Sequence, residues 1–210
     1  GGKYDVFSNC SIMDQQLCCF QEFGEKADNE IDVVALFSQA TPRIVLKETH
    51  INWVPLQGIS FLCDIKSRID KGRLESDLEK LDITRRLEQD PDDRFDVKTH
   101  GEYTVDHQLH CLVYDRSSIS DDTLNSLVED NDAWDMILLV EEDTLIVNKT
   151  LPIIEYLSMQ AIRSQLPHPG DLPDNERTIS IPGENANGIV SMENGLAWFI
   201  ITLSISIPVP

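Results

Sequence analysis

Asn187-Gly188-Ile189-Val190-Ser191-Met192-Glu193-Asn194-Gly195 and, a little further on, Ile201-Thr202-Leu203-Ser204-Ile205-Ser206-Ile207 form the stretch on which the fold class turns. Asn-Gly is the strongest short hairpin signal, because a type I′ turn needs positive φ at both central residues. The second run alternates strictly between apolar and hydroxyl side chains, the period of a half-buried strand. With 178–181 as a preceding strand, the stretch reads as a three-stranded C-terminal β-meander. The longest apolar run, 196–201, is far shorter than the ~20 residues of a membrane-spanning helix.

Working outward, strands are expected wherever short apolar runs lie between turn residues. These are 31–37, 43–47, 59–65, 94–98, 108–115, 136–140 and 145–147. Helices are expected over 12–23, 73–89, 121–129 and 151–165. Leu74, Leu78 and Leu81 mark the clearest amphipathic helix, and Ser120 is the expected N-cap of the third. Strands outnumber helices and follow one another through short turns. The expected class is therefore α+β, with a mainly antiparallel sheet, three to four helices and the C-terminal meander. Asp90-Pro91-Asp92-Asp93 suggests a division into an N-terminal α/β segment, 1–90, and an acidic α+β segment, 94–210, within a chain that could also form one domain.

The 210 residues carry 37 Asp and Glu against 17 Lys and Arg, a formal charge of −20. The second half holds most of the excess: beyond residue 98 the basic residues are Arg116, Lys149, Arg163 and Arg177 alone. So negative a surface repels polyanions and attracts basic partners. The opposite signal is a basic island, Lys66, Arg68, Lys71, Arg73, Lys80, Arg85 and Arg86, interleaved with acids and without aromatic residues to stack bases. Nucleic acid is thus an unlikely partner on sequence grounds. Gly1-Gly2-Lys3-Tyr4-Asp5 opens on no apolar segment, so an intracellular location, cytoplasmic or nuclear, is expected. Five cysteines at irregular spacing form no disulfide framework.

Two constellations could carry chemistry. His107-Gln108-Leu109-His110-Cys111 offers zinc or copper ligands. On a strand, however, His107 and His110 point to opposite faces, as do His110 and Cys111. This H-x-x-H-C string resembles a motif of the fungal ustiloxin-type oxidases, and that resemblance implies a metal-dependent activity.

The other constellation is acidic: Asp121, Asp122, Glu129, Asp130, Asp132, Asp135, Glu141, Glu142 and Asp143. Asp130, Asp132 and Glu141 match three EF-hand positions, but Trp134 and Asp135 occupy two others, and the sixth position requires Gly. An EF-hand is rejected. The pieces 111–117 and Leu138-Leu139-Val140-Glu141-Glu142-Asp143 resemble the interaction domain of the apoptotic DNA-fragmentation factors. That resemblance implies a ubiquitin-like fold binding through charged faces, and 94–148 has a compatible β-β-α-β-β order.

No P-loop, dinucleotide fingerprint or nucleophile elbow occurs. The leading expectation is a non-enzymatic interaction or regulatory protein. Its acidic face would bind a basic protein surface or another copy, without a cofactor. One alternative is a zinc- or copper-dependent enzyme using His107, His110 and Cys111. The other is a viral or self-assembling structural protein.

Overall fold

A computed structural model describes residues 4–14, 19–20, 30–37, 52–55, 58–88, 107–148, 150–151, 154 and 190–207. Among them are nine strands: β1 (Tyr4–Asp14), β2 (Cys19–Phe20), β3 (Ile31–Phe37), β4 (Asn52–Pro55), β5 (Ile59–Ile69), β6 (Leu109–Ser117), β7 (Met136–Leu139), β8 (Thr144–Val147) and β9 (Val190–Glu193). Three helices accompany them: α1 (Lys71–Glu88), α2 (Asp121–Glu129) and α3 (Gly195–Ser206). All the strands belong to one sheet, ordered β2-β1-β3-β5-β6-β7-β8-β9, with β4 also paired to β1.

The expected antiparallel sheet is corrected to a mixed one. β5–β6, β6–β7 and β1–β4 are parallel, and the remaining pairs are antiparallel. A parallel neighbour requires the chain to return to the end from which it started, which takes a crossover element. α1 joins β5 to β6 and α2 joins β6 to β7. Both helices were legible in the sequence, but not their role as crossovers.

The central strands are buried on both faces, as parallel strands between layers must be. On one face Leu62, Leu112, Tyr114 and Ile137 pack with Leu74, Leu78 and Leu81 of α1 and Leu124 and Val128 of α2. On the other, Phe61, Cys63, Cys111, Met136 and Leu138 form a second apolar layer, against which Trp198, Phe199 and Leu203 of α3 pack.

Helix starts follow local chemistry. The Asp70 carboxylate accepts the Arg73 amide at 3.0 Å, and Ser120 Oγ accepts the Thr123 amide. Each satisfies a donor that the first turn leaves open.

The C-terminal meander is also corrected: 195–206 is a helix. Gly195, Thr202 and Ser206 are its buried positions, a helical spacing hidden beneath the alternation of 201–207. Ser204 Oγ turns back to donate to Ile200 O at 2.7 Å, which keeps its hydroxyl inside the helix. Asn194-Gly195 makes a strand-to-helix junction, not a hairpin tip. Asn194 holds φ at 61°, and the Gly195 amide donates to Asp143 O at 2.8 Å.

A third correction concerns the expected helix over 12–23. Ile12 to Asp14 end β1, with Cys10 and Ile12 buried at the two-residue period of a strand. The sequence-based expectations at 43–47, 90–98, 167–170, 178–181 and 187–188, with most of 151–165, lie outside the described residues. Among the described residues no helix is long and apolar enough to cross a membrane.

Candidate active site at a fork in the sheet

β3 and β5 run antiparallel with Val34 opposite Leu62 and Val33 opposite Cys63. One step further this register would set Asp32 against Asp64, two like charges directly across a strand pair, a destabilising arrangement. The ladder stops there and side chains take over. The Asp32 amide donates to Asp64 Oδ1 at 3.3 Å, and the Ile65 amide donates to Asp32 Oδ2 at 2.7 Å. Beyond this point β5 continues beside β6, so the sheet forks at the two carboxylates. On the other flank of β3 the β1 ladder skips a step between Ser8 and Cys10. The intervening Asn9 takes φ of 52°, a left-handed conformation that Asn tolerates better than most residues.

Two lysines gather the carboxylates. Lys66 shares a strand face with Asp64, two residues away. Its Nζ lies 3.2 Å from Asp32 Oδ2 and 3.8 Å from Asp64 Oδ2. Lys80, reaching down from α1, places Nζ 2.7 Å from Asp64 Oδ2 and also donates to Glu30 O at 2.7 Å. The Asp64 side chain is 2 % exposed and that of Asp32 35 %, so one carboxylate is enclosed and the other opens to solvent. Asp32 Oδ1 has no hydrogen-bond partner among the described residues. The neighbouring Cys63 thiol is pushed up to about 12 by burial first and then by the charges of Asp64 and Asp32. It stays protonated at neutral pH and is no nucleophile.

The donor set has a definite preference. Two hard carboxylates with an open oxygen suit magnesium or manganese better than zinc or copper. No group of three or more His, Cys, Asp and Glu gathers around a common point among the described residues. A centre of two carboxylates is what magnesium uses when substrate phosphates and water complete its shell.

The residues singled out from sequence lie elsewhere. His107, His110 and Cys111 do not converge. Cys111 is fully buried in the apolar layer beneath α3, where burial holds its thiol well above the usual range. His107 and His110 are drawn instead to the segment before β7. His107 Nε2 lies 3.0 Å from Asp135 Oδ1, and His110 Nδ1 lies 2.9 Å from Ala133 O.

Asp135 is not on the acidic face, being 1 % exposed. It accepts the His110 amide at 2.7 Å and the Arg85 guanidinium at 2.8 Å. Burial pushes its carboxyl up, but the hydrogen bond to His107 and the charge of Arg85 together outweigh this and hold it below the ordinary value. Asp121, Asp122, Glu129, Asp130, Asp132, Glu141, Glu142 and Asp143 are exposed around α2 and the β7–β8 turn.

Sequence reasoning missed Asp32 and Asp64, and took Lys66 and Lys80 for part of a solvated basic island. The available signal was an ionisable residue inside each of two apolar strand runs, Ile31-Asp32-Val33-Val34 and Leu62-Cys63-Asp64-Ile65-Lys66.

Fold and site together define a mixed-sheet α+β protein with helices on both faces and two opposed carboxylates at a fork. Among solved structures the chain is similar to the apo form of NucC from E. coli MS115-1, with a TM-score of 0.57 and 14 % identity, covering 99 % of this chain and 78 % of that one. The cAAA-bound forms of NucC from P. aeruginosa ATCC27853 and E. coli MS115-1 align with TM-scores of 0.49 and 0.48, each at 15 % identity, over 70 % and 69 % of this chain. This chain spans 60 % and 58 % of the length of those two. At such identity the likeness is one of fold. No family model and no curated protein matches the sequence.

NucC is a nuclease. The fold likeness is to a nuclease, which tells against the expectation of a non-enzymatic interaction, regulatory or structural protein, and the His-Cys metalloenzyme alternative fails on geometry, because His107, His110 and Cys111 do not converge. The same likeness corrects the judgement that nucleic acid is an unlikely partner, since a protein of this fold is a nuclease. That judgement rested on a basic island interleaved with acids and without aromatic residues, and a linear count does not show which charges the fold sets side by side.

Proposed function

We propose that this chain hydrolyses phosphodiester bonds of nucleic acid with a divalent cation, at a centre made by Asp32, Asp64 and Lys66. The observation carrying this reading is the opposition of Asp32 and Asp64 where the β3–β5 ladder ends, with Lys66 Nζ within 4 Å of both. Paired carboxylates held against mutual repulsion are a functional arrangement more often than a stabilising one. Asp32 and Asp64 would hold magnesium or manganese. When bound, the ion supplies Lewis-acid polarisation of the phosphate and lowers the pKa of its water.

The chain's own residues do the rest. Lys66 reaches both carboxylates from the strand face that would meet the phosphate. From there its ammonium opposes the charge that grows on the non-bridging oxygens as water adds to phosphorus and the ester P–O bond breaks. Lys80 fixes the rotamer of Asp64 from α1, and the enclosed position of Asp64 limits its exchange with bulk water.

The test combines calorimetric titration of magnesium and manganese with cleavage of plasmid and single-stranded DNA and RNA. Wild type is expected to bind the metal and to cleave only when it is present. Asp32→Asn should lose metal binding by more than the ~10–100-fold typical of an outer-sphere change. Lys66→Met should keep metal binding and lose cleavage. A wild-type protein that binds neither cation, or cleaves equally in EDTA, overturns the reading.

A further inference from the structure

Beyond the fork, β5 carries a second feature that the centre itself does not use. Lys66 and Arg68 alternate with Ile65 and Ser67, so they lie on the same strand face as Asp64. At 3.3–3.4 Å per residue, about 6.7 Å separates each member of the row Asp64, Lys66, Arg68 from the next. The parallel register with β6 sets Arg116 directly beside Arg68, about 4.8 Å away between strands.

Two arginines side by side repel each other, and a strand pair gains nothing from them unless an anion lies between or above them. Both are exposed. Among the described residues Arg116 has only loose partners, Asp115 Oδ2 at 3.5 Å and Glu141 Oε2 at 3.9 Å, in side chains more than half exposed. Pairs of that kind contribute little and exchange readily. Arg68 makes no ion pair among the described residues. In a chain of net charge −20, two exposed guanidinium groups, one loosely paired and one with no ion pair among the described residues, thus stand next to each other on β5 and β6, beyond the carboxylate pair.

We infer that Arg68 and Arg116 form a phosphate track. They would hold the sugar–phosphate backbone flanking the bond that is cut, which makes a nucleic-acid strand the substrate in preference to a small phosphodiester. This rests on the nuclease reading above. Arginine suits the role because its planar fork grips phosphate oxygens in pairs.

The experiment compares wild type, Arg68→Ala/Arg116→Ala and Arg68→Lys/Arg116→Lys, each with manganese. Three quantities are read: hydrolysis of bis(p-nitrophenyl) phosphate, affinity for a catalytically protected DNA strand as a function of salt, and manganese binding. The alanine pair should weaken strand binding at low salt by about tenfold or more. It should also lower the slope of log K against log salt by roughly 1.4–1.8, at about 0.7–0.9 per lost phosphate contact. Hydrolysis of the small ester and manganese binding should stay as in wild type, and the lysine pair should recover most of the slope.

An unchanged slope in the alanine pair overturns the track, as does an equal loss of small-ester hydrolysis and strand binding. A wild-type protein that hydrolyses neither the small ester nor an unprotected DNA strand overturns the underlying nuclease reading, a result distinct from either.

Discussion

Asp64 is enclosed by protein and lies beside a second carboxylate, and only cations make that arrangement tolerable. Lys80 supplies the shortest contact and Lys66 a longer one. Removing one partner of a buried pair leaves its charge uncompensated, typically at a cost of ~3–5 kcal/mol. Because Lys66 remains nearby, Lys80→Met should cost less, about 2–3 kcal/mol, measured by urea denaturation at neutral pH. The double variant Lys80→Met/Asp64→Asn should recover part of the loss, since the charge that Lys80 compensates is then gone. A Lys80→Met protein as stable as wild type would show that Lys66 suffices. The hydroxyl of Tyr114, which donates to Asp77 Oδ2 at 2.8 Å, belongs to the same helix-to-sheet contact. Burial raises the Asp77 carboxyl, with the Tyr114 hydrogen bond and Arg73 opposing it.

At the level of elements, α1 is fastened to the sheet at successive points along its length. Asp77 meets Tyr114 of β6, Lys80 meets Asp64 of β5, and Arg85 meets Asp135 beside β7. The last contact sets a pH dependence. The Asp135 carboxyl is depressed on folding. Its contribution is therefore full above the unfolded carboxylate range, near ~3.9, and is lost as pH falls through the lower folded value. Asp135→Asn should cost about 2–4 kcal/mol at pH 7 by removing the buried carboxylate that Arg85 and His107 contact. The gap between variant and wild type should close as pH drops below about 4. A gap independent of pH would mean that the carboxylate's charge is not what the contact uses.

The other helix of interest, α3, depends on a close approach. A Cβ on Gly195 would lie 2.5 Å from the backbone carbon of Thr144 and 2.7 Å from its nitrogen. Gly195→Ala must therefore push α3 off β8. It should lower stability by about 1–3 kcal/mol, read from the melting temperature, with the proposed metal centre at the distant fork unaffected. Wild-type stability in this variant would mean that the junction is looser than its geometry.

For the whole molecule, what was legible follows from how far each signal reaches along the chain. α1 and α2, β3 and the strands at 59–69, 109–117, 136–139 and 144–147 were recoverable because their apolar spacing is local. Ser120 as a cap was recoverable for the same reason. Parallel pairing was not, because it depends on which strand a crossover helix returns to, a contact between residues dozens of positions apart. Ile201-Thr202-Leu203-Ser204-Ile205-Ser206-Ile207 was misread because a seven-residue alternation also places 201 with 205 and 203 with 207 on a helix surface. The layer under the sheet selected the helix.

The sequence by itself determined α1, α2 and the extended segments of the central sheet, the strongly negative charge and its concentration beyond residue 98. It also determined that Cys63 and Cys111 sit in apolar runs, where a thiol behaves as a small hydrophobe. Only the tertiary structure decided which charges matter. Asp32 and Asp64 are 32 positions apart, and each alone is an ordinary polar residue in a strand. The antiparallel register of β3 on β5 brings them face to face, and the fork then leaves them, with Lys66, where the β3–β5 ladder ends. Asp135 went the other way, from apparent member of an acidic surface to buried anchor. The physical reason is common to both. Electrostatic meaning depends on distance and burial, and a linear sequence specifies neither until long-range strand pairing has fixed them.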